Sequence, residues 1–310
     1  MRHEVIGAFL VIAAILTVAG ITGHIAARAV RPEHAATIQN LNERIRAWWV
    51  MVIIVGCSMM AGWGATILLF VFVSLMALRE FLSLVKTNRE DHRALIYTFF
   101  VVMPCHYYFV YRGWYGLYSI FIPVWAFLLV PISIVLRGGA DGFLERVSEI
   151  QWALIICVYF ISYAPALAGL PLRNRVGSPD ALLLYLMIVS QASDVLQYIF
   201  GHLFGKHPMA PKISPHKTWE GFYGGVAGAT ILGAALYELT PFRPLASAGI
   251  ALIICLTGVA GGLTMSAIKR DRGIKDFGTS IPGHGGILDR IDSLCFSAPV
   301  LFHLSRFFYG

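Results

Sequence analysis

Long, uninterrupted apolar runs fill most of the chain, and polar residues gather in the short stretches between them. A helix that crosses the hydrocarbon core of a bilayer needs about 20 mostly apolar residues. Transmembrane β-strands would instead show alternating polarity over short segments. The pattern therefore predicts an all-α, polytopic membrane protein with about ten transmembrane helices. The predicted spans are 5–23, 47–62, 64–85, 95–111, 114–136, 150–170, 181–204, 220–239, 246–267 and 293–309.

The amino-acid composition also indicates a membrane protein and argues against a nucleic-acid partner. Hydrophobic residues make up 57% of the chain and charged residues 13%, whereas a soluble domain carries about 25% charged residues. The net charge of +7 is typical of cytoplasmic loops that face anionic lipid, so we expect no nucleic-acid partner. The five cysteines are scattered singly, which favours packing over a metal site or disulfides.

The positions of Lys and Arg predict an orientation. If the N-terminus faces outward and each span crosses once, most of the 24 basic residues fall in the inner loops. The two richest polar loops, 205–219 and 268–292, then lie on the same cytoplasmic face. We therefore expect a multi-pass protein of the cell (inner) membrane.

The stretch 266–292 differs from its apolar surroundings because it concentrates charge and glycine. Carboxylate oxygens suit Mg²⁺, and Asp289 and Asp292 are spaced to share one helix face. Lys and Arg neutralise phosphates, and the turn 282–286 lets backbone approach an anion. A loop that is merely solvated needs neither feature, so the stretch indicates phosphoryl or nucleotidyl transfer. Its charged residues are Lys269, Arg270, Asp271, Arg272, Lys275, Asp276, Asp289, Arg290 and Asp292.

The same stretch resembles the signature of the phosphatidate cytidylyltransferase (CDP-diacylglycerol synthase) family at every fixed position. Those positions are Ser266, Lys269, Arg270, Lys275, Asp276, Gly278, Pro282, His284, Gly285, Gly286, Asp289, Arg290 and Asp292. A second block is similar at Phe204–Lys206, Ser214–Gly221 and Gly224–Gly225, and 78–81 is a weaker match. The resemblance covers roughly 190–295. We therefore expect one membrane domain, with N-terminal transmembrane helices over 1–180 and a catalytic transmembrane region over 181–310.

The resemblance implies that CTP and phosphatidate react to give CDP-diacylglycerol and pyrophosphate, with Mg²⁺ as cofactor. It leaves open a second cation and a homodimer, and His284 is either a substrate contact or a turn-stabilising residue. The residues expected to be catalytic are Lys269, Arg270, Lys275, Asp276, His284 and Arg290. Those expected to bind substrate are Asp194, Tyr198, Lys206, Ser214, Lys217, Thr218, Glu220, Gly285 and Gly286. The expected metal ligands are Asp271, Asp289 and Asp292.

One departure from the family pattern keeps an alternative open. The family usually has Asp-x-x-Ala-Tyr before the second block. Here Asp194 and Tyr198 match, but Gln197 occupies the position of the alanine. A carboxylate such as Asp194 inside an apolar span is costly unless it is paired or functional. One alternative is therefore a weakened or re-purposed paralogue that acts on another lipid phosphate. A second alternative, from a different class, is a transporter whose acidic loop binds a cation. The motifs of CDP-alcohol phosphatidyltransferases and of prenyltransferases are absent from the sequence.

Overall fold

The computed structural model describes residues 3–29, 35–85, 91–136, 140–172, 180–281 and 285–310. Ten long helices run through these ranges and confirm the all-α prediction. The helices are α1 His3–Ala29, α2 Ala35–Ala61, α3 Trp63–Leu82, α4 His92–Tyr111, α5 Tyr115–Val135, α6 Phe143–Ala168, α7 Ala181–Phe204, α8 Trp219–Ala235, α9 Pro244–Asp271 and α10 Leu288–Tyr309.

Each predicted span corresponds to one of these helices, although the boundaries differ. Eight of the helices are long and apolar enough to cross a membrane. The remaining two are α8, which has only 17 residues, and α10, which carries Asp292, His303 and Arg306. Helix α9 continues to Asp271, beyond the predicted end at 267, so the first charged residues of the signature stretch are helical.

The centre of the bundle is formed by α6, and α1 and α2 lie at its edge. Within the most apolar part of α6, 72% of the residues are buried, against 6% in each of the first two helices. Helix α1 packs mainly on α2, which also packs on α3, whereas α3 and α6 both contact α10. The C-terminal helices α7 to α10 are therefore supported by helices from the N-terminal half.

Glycine allows α7 and α8 to pack unusually closely. A Cβ atom built on Gly225 would lie 2.6 Å from the Gln197 backbone nitrogen, and one on Gly221 would lie 2.7 Å from the Gln197 carbonyl oxygen. Because no side chain fits there, the two helix backbones meet directly. The Gln197 side chain turns along this seam and donates from Nε2 to Ser193 Oγ at 2.9 Å.

A short β-hairpin connects α7 to α8 and was not predicted from the sequence. Strand β1, Pro208–Ala210, pairs antiparallel with β2, Ser214–Thr218. Its register sets Pro208 opposite Thr218. The hairpin places the second sequence block beside the end of α9, because Arg270 Nε donates to the Ile213 carbonyl oxygen at 3.1 Å.

Candidate active site

The base of the hairpin is held by two residues that the sequence assigned to substrate binding. Thr218 caps α8, since its Oγ1 accepts from the Gly221 nitrogen at 3.2 Å. The Glu220 carboxylate accepts from the backbone nitrogens of Lys206 and His207 at 3.1 and 3.2 Å. Both side chains are therefore engaged in shaping the hairpin that carries Lys217.

Lys217 extends from β2 into the seam between α9 and α10. A Cβ atom on Gly262 of α9 would lie 3.0 Å from the Lys217 Nζ and 4.0 Å from the Ser293 Oγ of α10. The hairpin thus delivers an ammonium group to the interior side of the signature stretch.

Two carboxylates from different helices meet beside this ammonium group. Ser293 Oγ donates to Asp194 Oδ2 at 2.7 Å and lies 3.3 Å from Asp292 Oδ1. The Ser293 backbone nitrogen also donates to Asp292 Oδ1, at 2.8 Å. Lys217 and Arg290 both act electrostatically on the two carboxylates, and Lys269 also acts on Asp292. We call Asp194, Lys217, Arg290, Asp292 and Ser293 the acidic-pair cluster.

The acidic-pair cluster keeps polar atoms that other described residues do not satisfy. Asp194 and Asp292 are partly buried, and among the described residues Ser293 is the hydrogen-bond donor to one oxygen of each carboxylate. Arg290 Nε is buried and has no hydrogen-bond partner within the described ranges. A buried guanidinium nitrogen without an acceptor among the described residues, in the electrostatic range of two carboxylates, fits a site that takes a phosphate together with a cation.

Asp289 has the opposite environment, although it lies one helical turn from Asp292. Its side chain is 2% exposed. Lys269 Nζ contacts its Oδ1 at 2.8 Å, and the Phe277 and Gly286 nitrogens donate to its Oδ2 at 2.8 and 3.0 Å. Gly285 adopts a φ of 81°, and a Cβ there would lie 3.0 Å from Asp289 Oδ2. Asp289 therefore closes the turn onto the end of α9.

Glu80 of α3 holds the other side of the turn and was only a weak match in the sequence. Its buried carboxylate accepts from Ser280 Oγ at 2.7 Å, from the Ile287 nitrogen at 3.0 Å and from the Leu288 nitrogen at 2.9 Å. The last two nitrogens lie at the start of α10, where backbone donors have no acceptor within the helix. Glu80 therefore caps a helix some 200 residues away in sequence. We call Glu80, Lys269 and Asp289 the turn-closing cluster.

The turn-closing cluster also depends on glycine and on aromatic packing. Cβ atoms on Gly278 and Gly286 would lie 2.9 and 2.5 Å from the Glu80 carboxylate oxygens. Phe81, next to Glu80, stacks on Phe277 with ring centroids 6.1 Å apart. Two of the family-matched glycines are thus required because a carboxylate from α3 occupies the space beside them.

The end of α9 has a connecting role. Arg270 donates to the carbonyl oxygens of Ile213 and Ile274, both at 3.1 Å, and so links the hairpin to the signature stretch. Arg272 pairs with Glu149 of α6. The Asp271 side chain is 76% exposed and lies 3.5 Å from the Arg272 Nε. Asp271 therefore faces outward from the signature stretch.

The remaining predicted residues lie at the surface or outside the described ranges. Tyr198 is 72% exposed and stacks on His202, and Ser214 begins β2. His284 lies outside the described residues, so its predicted role stays a prediction. Lys206, Lys275 and Asp276 also have exposed charged side chains, as Arg270 and Asp271 do.

The three predicted metal ligands do not come together. Within the described ranges, no group of three or more His, Cys, Asp or Glu side chains is arranged to hold a metal ion. Asp271 is exposed, Asp289 is occupied by protein donors, and Asp292 instead shares the Ser293 hydroxyl with Asp194. Two carboxylates fit Mg²⁺ when water and substrate phosphates complete its shell, which is how this ion is usually bound.

Comparison with known proteins supplies the family. A family model described as "Cytidylyltransferase family" matches residues 42–308. Uncharacterized protein YnbB of Escherichia coli is 39% identical over 267 residues, which is 85% of this chain and 87% of that protein. Phosphatidate cytidylyltransferases of Mycobacterium leprae and Pseudomonas aeruginosa are 50% identical over 118 residues and 41% identical over 140. These two alignments span 37% and 51% of the enzymes' length, and 37% and 44% of this chain.

Proposed function

Because the chain belongs to the cytidylyltransferase family, we propose that it transfers the cytidylyl group of CTP to phosphatidate, giving CDP-diacylglycerol and pyrophosphate. Family membership makes it a nucleotidyltransferase. Phosphatidate is the proposed acceptor because enzymes named for that substrate share 50% and 41% identity with parts of the chain. The observation that carries the proposal is the acidic-pair cluster, in which two carboxylates interact with Lys217 and with Arg290, whose Nε has no hydrogen-bond partner among the described residues.

The proposed reaction needs positioning and charge stabilisation more than proton transfer. A phosphate oxygen of phosphatidate attacks the α-phosphorus of CTP and forms a new P–O bond. The bond to the β-phosphate oxygen breaks, and pyrophosphate leaves with that electron pair. The attacking phosphate is already an anion, so little help from a base is required. Lys217 and Arg290 would stabilise the negative charge that develops on the transferred group and on pyrophosphate.

Mg²⁺ is the proposed cofactor, with Asp194 and Asp292 as its protein ligands. When bound, the ion would draw negative charge from the CTP phosphates and favour pyrophosphate departure. This assignment revises the predicted set of Asp271, Asp289 and Asp292 and retains one member. Ser293, by donating to Asp194 and contacting Asp292, would orient the two carboxylates toward a shared ion.

We place the reaction at the cytoplasmic face of the inner membrane. The Arg270 bonds to the carbonyl oxygens of Ile213 and Ile274 support this placement, because they join the two basic loops at one end of the bundle. An excess of Lys and Arg marks cytoplasmic loops. The acceptor phosphate would then reach the cluster from the inner leaflet, and CTP would enter from the aqueous side.

The direct test is purified protein in detergent with phosphatidate, radiolabelled CTP and Mg²⁺. Wild-type protein should form CDP-diacylglycerol and release pyrophosphate in equal amounts. Asp194→Asn should remove product formation, whereas Asp271→Asn is the matched control because that carboxylate is 76% exposed. Absence of product from wild-type protein, or full activity in Asp194→Asn, would refute the proposal.

A second candidate is transfer to a different lipid phosphate. It is favoured by the pattern of similarity, since the named enzymes match less than half of this chain. The Gln197 departure does not alter the acidic pair itself, because its side chain is bound to Ser193 along the α7–α8 seam. Competition among lipid phosphates with different backbones, at fixed CTP, separates the two candidates.

A further inference from the structure

We infer that Gly262 of α9 is a positioning residue for this reaction, because its missing side chain leaves the space occupied by the Lys217 ammonium group. Gly262 lies outside both sequence blocks that resemble the family. The inference rests on the proposed function only in that Lys217 is taken to act on a substrate phosphate. The contact between the two residues does not depend on that function.

The surroundings of Gly262 point to the ammonium group. A Cβ atom there would lie 3.0 Å from Lys217 Nζ. Apart from the backbone of its own helix and its chain neighbours, the other described atom within 4 Å is Ser293 Oγ, at 4.0 Å. An added methyl group would therefore press on the flexible end of a side chain and on no backbone atom. The substitution should therefore move the Lys217 ammonium group and reduce the folding stability only slightly.

Other glycines of α9 have different surroundings and provide controls. A Cβ on Gly261 would lie 2.6 Å from the Phe296 ring, and one on Gly258 would lie 3.4 Å from the Ser293 Cβ. At Gly249 the same atom would have nothing within 4 Å. Substitutions at Gly249 therefore show how replacing a glycine affects this helix when the new side chain contacts no other described residue. Among these four glycines, Gly262 alone adjoins a charged group.

The position of the Lys217 ammonium group matters because Ser293, which lies in the same seam, contacts both carboxylates of the acidic-pair cluster. Ser293 Oγ lies 2.7 Å from Asp194 Oδ2 and 3.3 Å from Asp292 Oδ1. An alanine at 262 would displace the ammonium group by a few tenths of an ångström, and a valine would displace it further. A misplacement of 1 Å in an active site costs about 10²-fold, so we expect about threefold to tenfold for alanine and about 10²-fold for valine.

The experiment compares Gly262→Ala and Gly262→Val with Gly249→Ala and Gly249→Val. The rate of cytidylyl transfer should fall less in Gly262→Ala than in Gly262→Val. In the two Gly249 variants it should stay within about twofold of the wild-type rate. In a Lys217→Met background, the Gly262 substitutions should cost less than about twofold further, because the group they displace is gone. A separate readout, without substrate, is acetylation of Lys217 by acetic anhydride followed by mass spectrometry. That labelling should rise in both Gly262 variants and stay unchanged in the Gly249 variants.

Equal losses in the Lys217 and Lys217→Met backgrounds would overturn the inference, as would unchanged labelling of Lys217 in the Gly262 variants. If Lys217→Met is too slow to assay, or Gly262→Val fails to insert, labelling of Gly262→Ala decides. If wild-type protein makes no CDP-diacylglycerol, the proposed function fails. The labelling result then still shows whether Gly262 seats the ammonium group.

Discussion

The turn-closing cluster and the acidic-pair cluster both include residues from the first turns of α10, but they surround their carboxylates differently. Asp289 is 2% exposed, and three protein donors occupy its oxygens. Asp292 is one turn further on, partly buried and close to a second carboxylate. Two acidic residues of one motif, three positions apart, therefore have different surroundings. Protein donors occupy Asp289, whereas Asp292 shares Ser293 with Asp194 and is our proposed metal ligand.

The strongest way to break this comparison is Asp292→Asn. Removing the charge of an open carboxylate should lower kcat about 10³-fold or more, the upper end of what one lost transition-state contact costs. Folding should be little affected, because Asp292 accepts only from Ser293 among the described residues. Steady-state turnover, normalised to correctly folded protein by size exclusion, checks both statements. An active Asp292→Asn enzyme would place the chemistry elsewhere.

Asp289→Asn should act mainly through stability. The substitution removes the negative charge that Lys269 contacts at 2.8 Å, and breaking a largely buried pair costs about 3–5 kcal/mol. The thermal midpoint in detergent should fall sharply, while the molecules that remain folded keep measurable activity. Lys275→Met is a matched control, since it removes an exposed cation of the same stretch. An Asp289→Asn protein as stable as wild type would contradict the assigned role.

Glu80→Gln should have a smaller effect. Glutamine keeps one acceptor oxygen, but it loses the negative charge at the start of α10 and cannot satisfy all three donors. We expect a loss of about 1–3 kcal/mol in stability, together with a lower kcat and an unchanged Mg²⁺ requirement. Glu80→Asp, which keeps the charge on a shorter side chain, should recover part of the loss. A changed Mg²⁺ requirement would instead make Glu80 a member of the metal site.

Gln197→Ala should have the smallest effect. The Gln197 amide bonds to Ser193, and its backbone lies in the α7–α8 seam against Gly221 and Gly225. Removing the amide should cost about 1 kcal/mol of stability and leave the choice of lipid phosphate unchanged. Relative rates with competing lipid phosphates provide the measurement. A changed preference would mean that this seam contacts the acceptor lipid.

The membrane fold was largely predictable because apolar run length is a local signal. All ten predicted spans are helices, and eight of them also meet the length and hydropathy expected of a membrane span. The hairpin over 208–218 was missed, because its strands are short and polar and carry no alternation. The predicted end of α9 at 267 is too early. The charged residues 269–271 are typical of a loop in a membrane protein, but here they continue the helix.

Most residues of the acidic-pair cluster could be found in the sequence, but the contacts that distinguish them from the turn-closing cluster could not. The sequence motifs contain Asp194, Lys217, Arg290 and Asp292, but spacing alone could not separate Asp289 from Asp292. That separation depends on which neighbours donate hydrogen bonds, and these come from distant parts of the chain. Glu80 illustrates the limit, because its partners are some 200 residues away and its own surroundings look like the end of an apolar span.

Thermal unfolding with and without Mg²⁺–CTP tests the central claim most directly. A ligand that binds only the folded state raises stability by RT ln(1 + [L]/Kd), which is about 2.7 kcal/mol at a hundredfold excess over Kd. We predict that Asp289→Asn unfolds at a lower temperature yet still gains stability from Mg²⁺–CTP. Asp292→Asn should unfold at the wild-type temperature and gain little. The reverse pattern, with the gain lost in Asp289→Asn and kept in Asp292→Asn, would contradict the account.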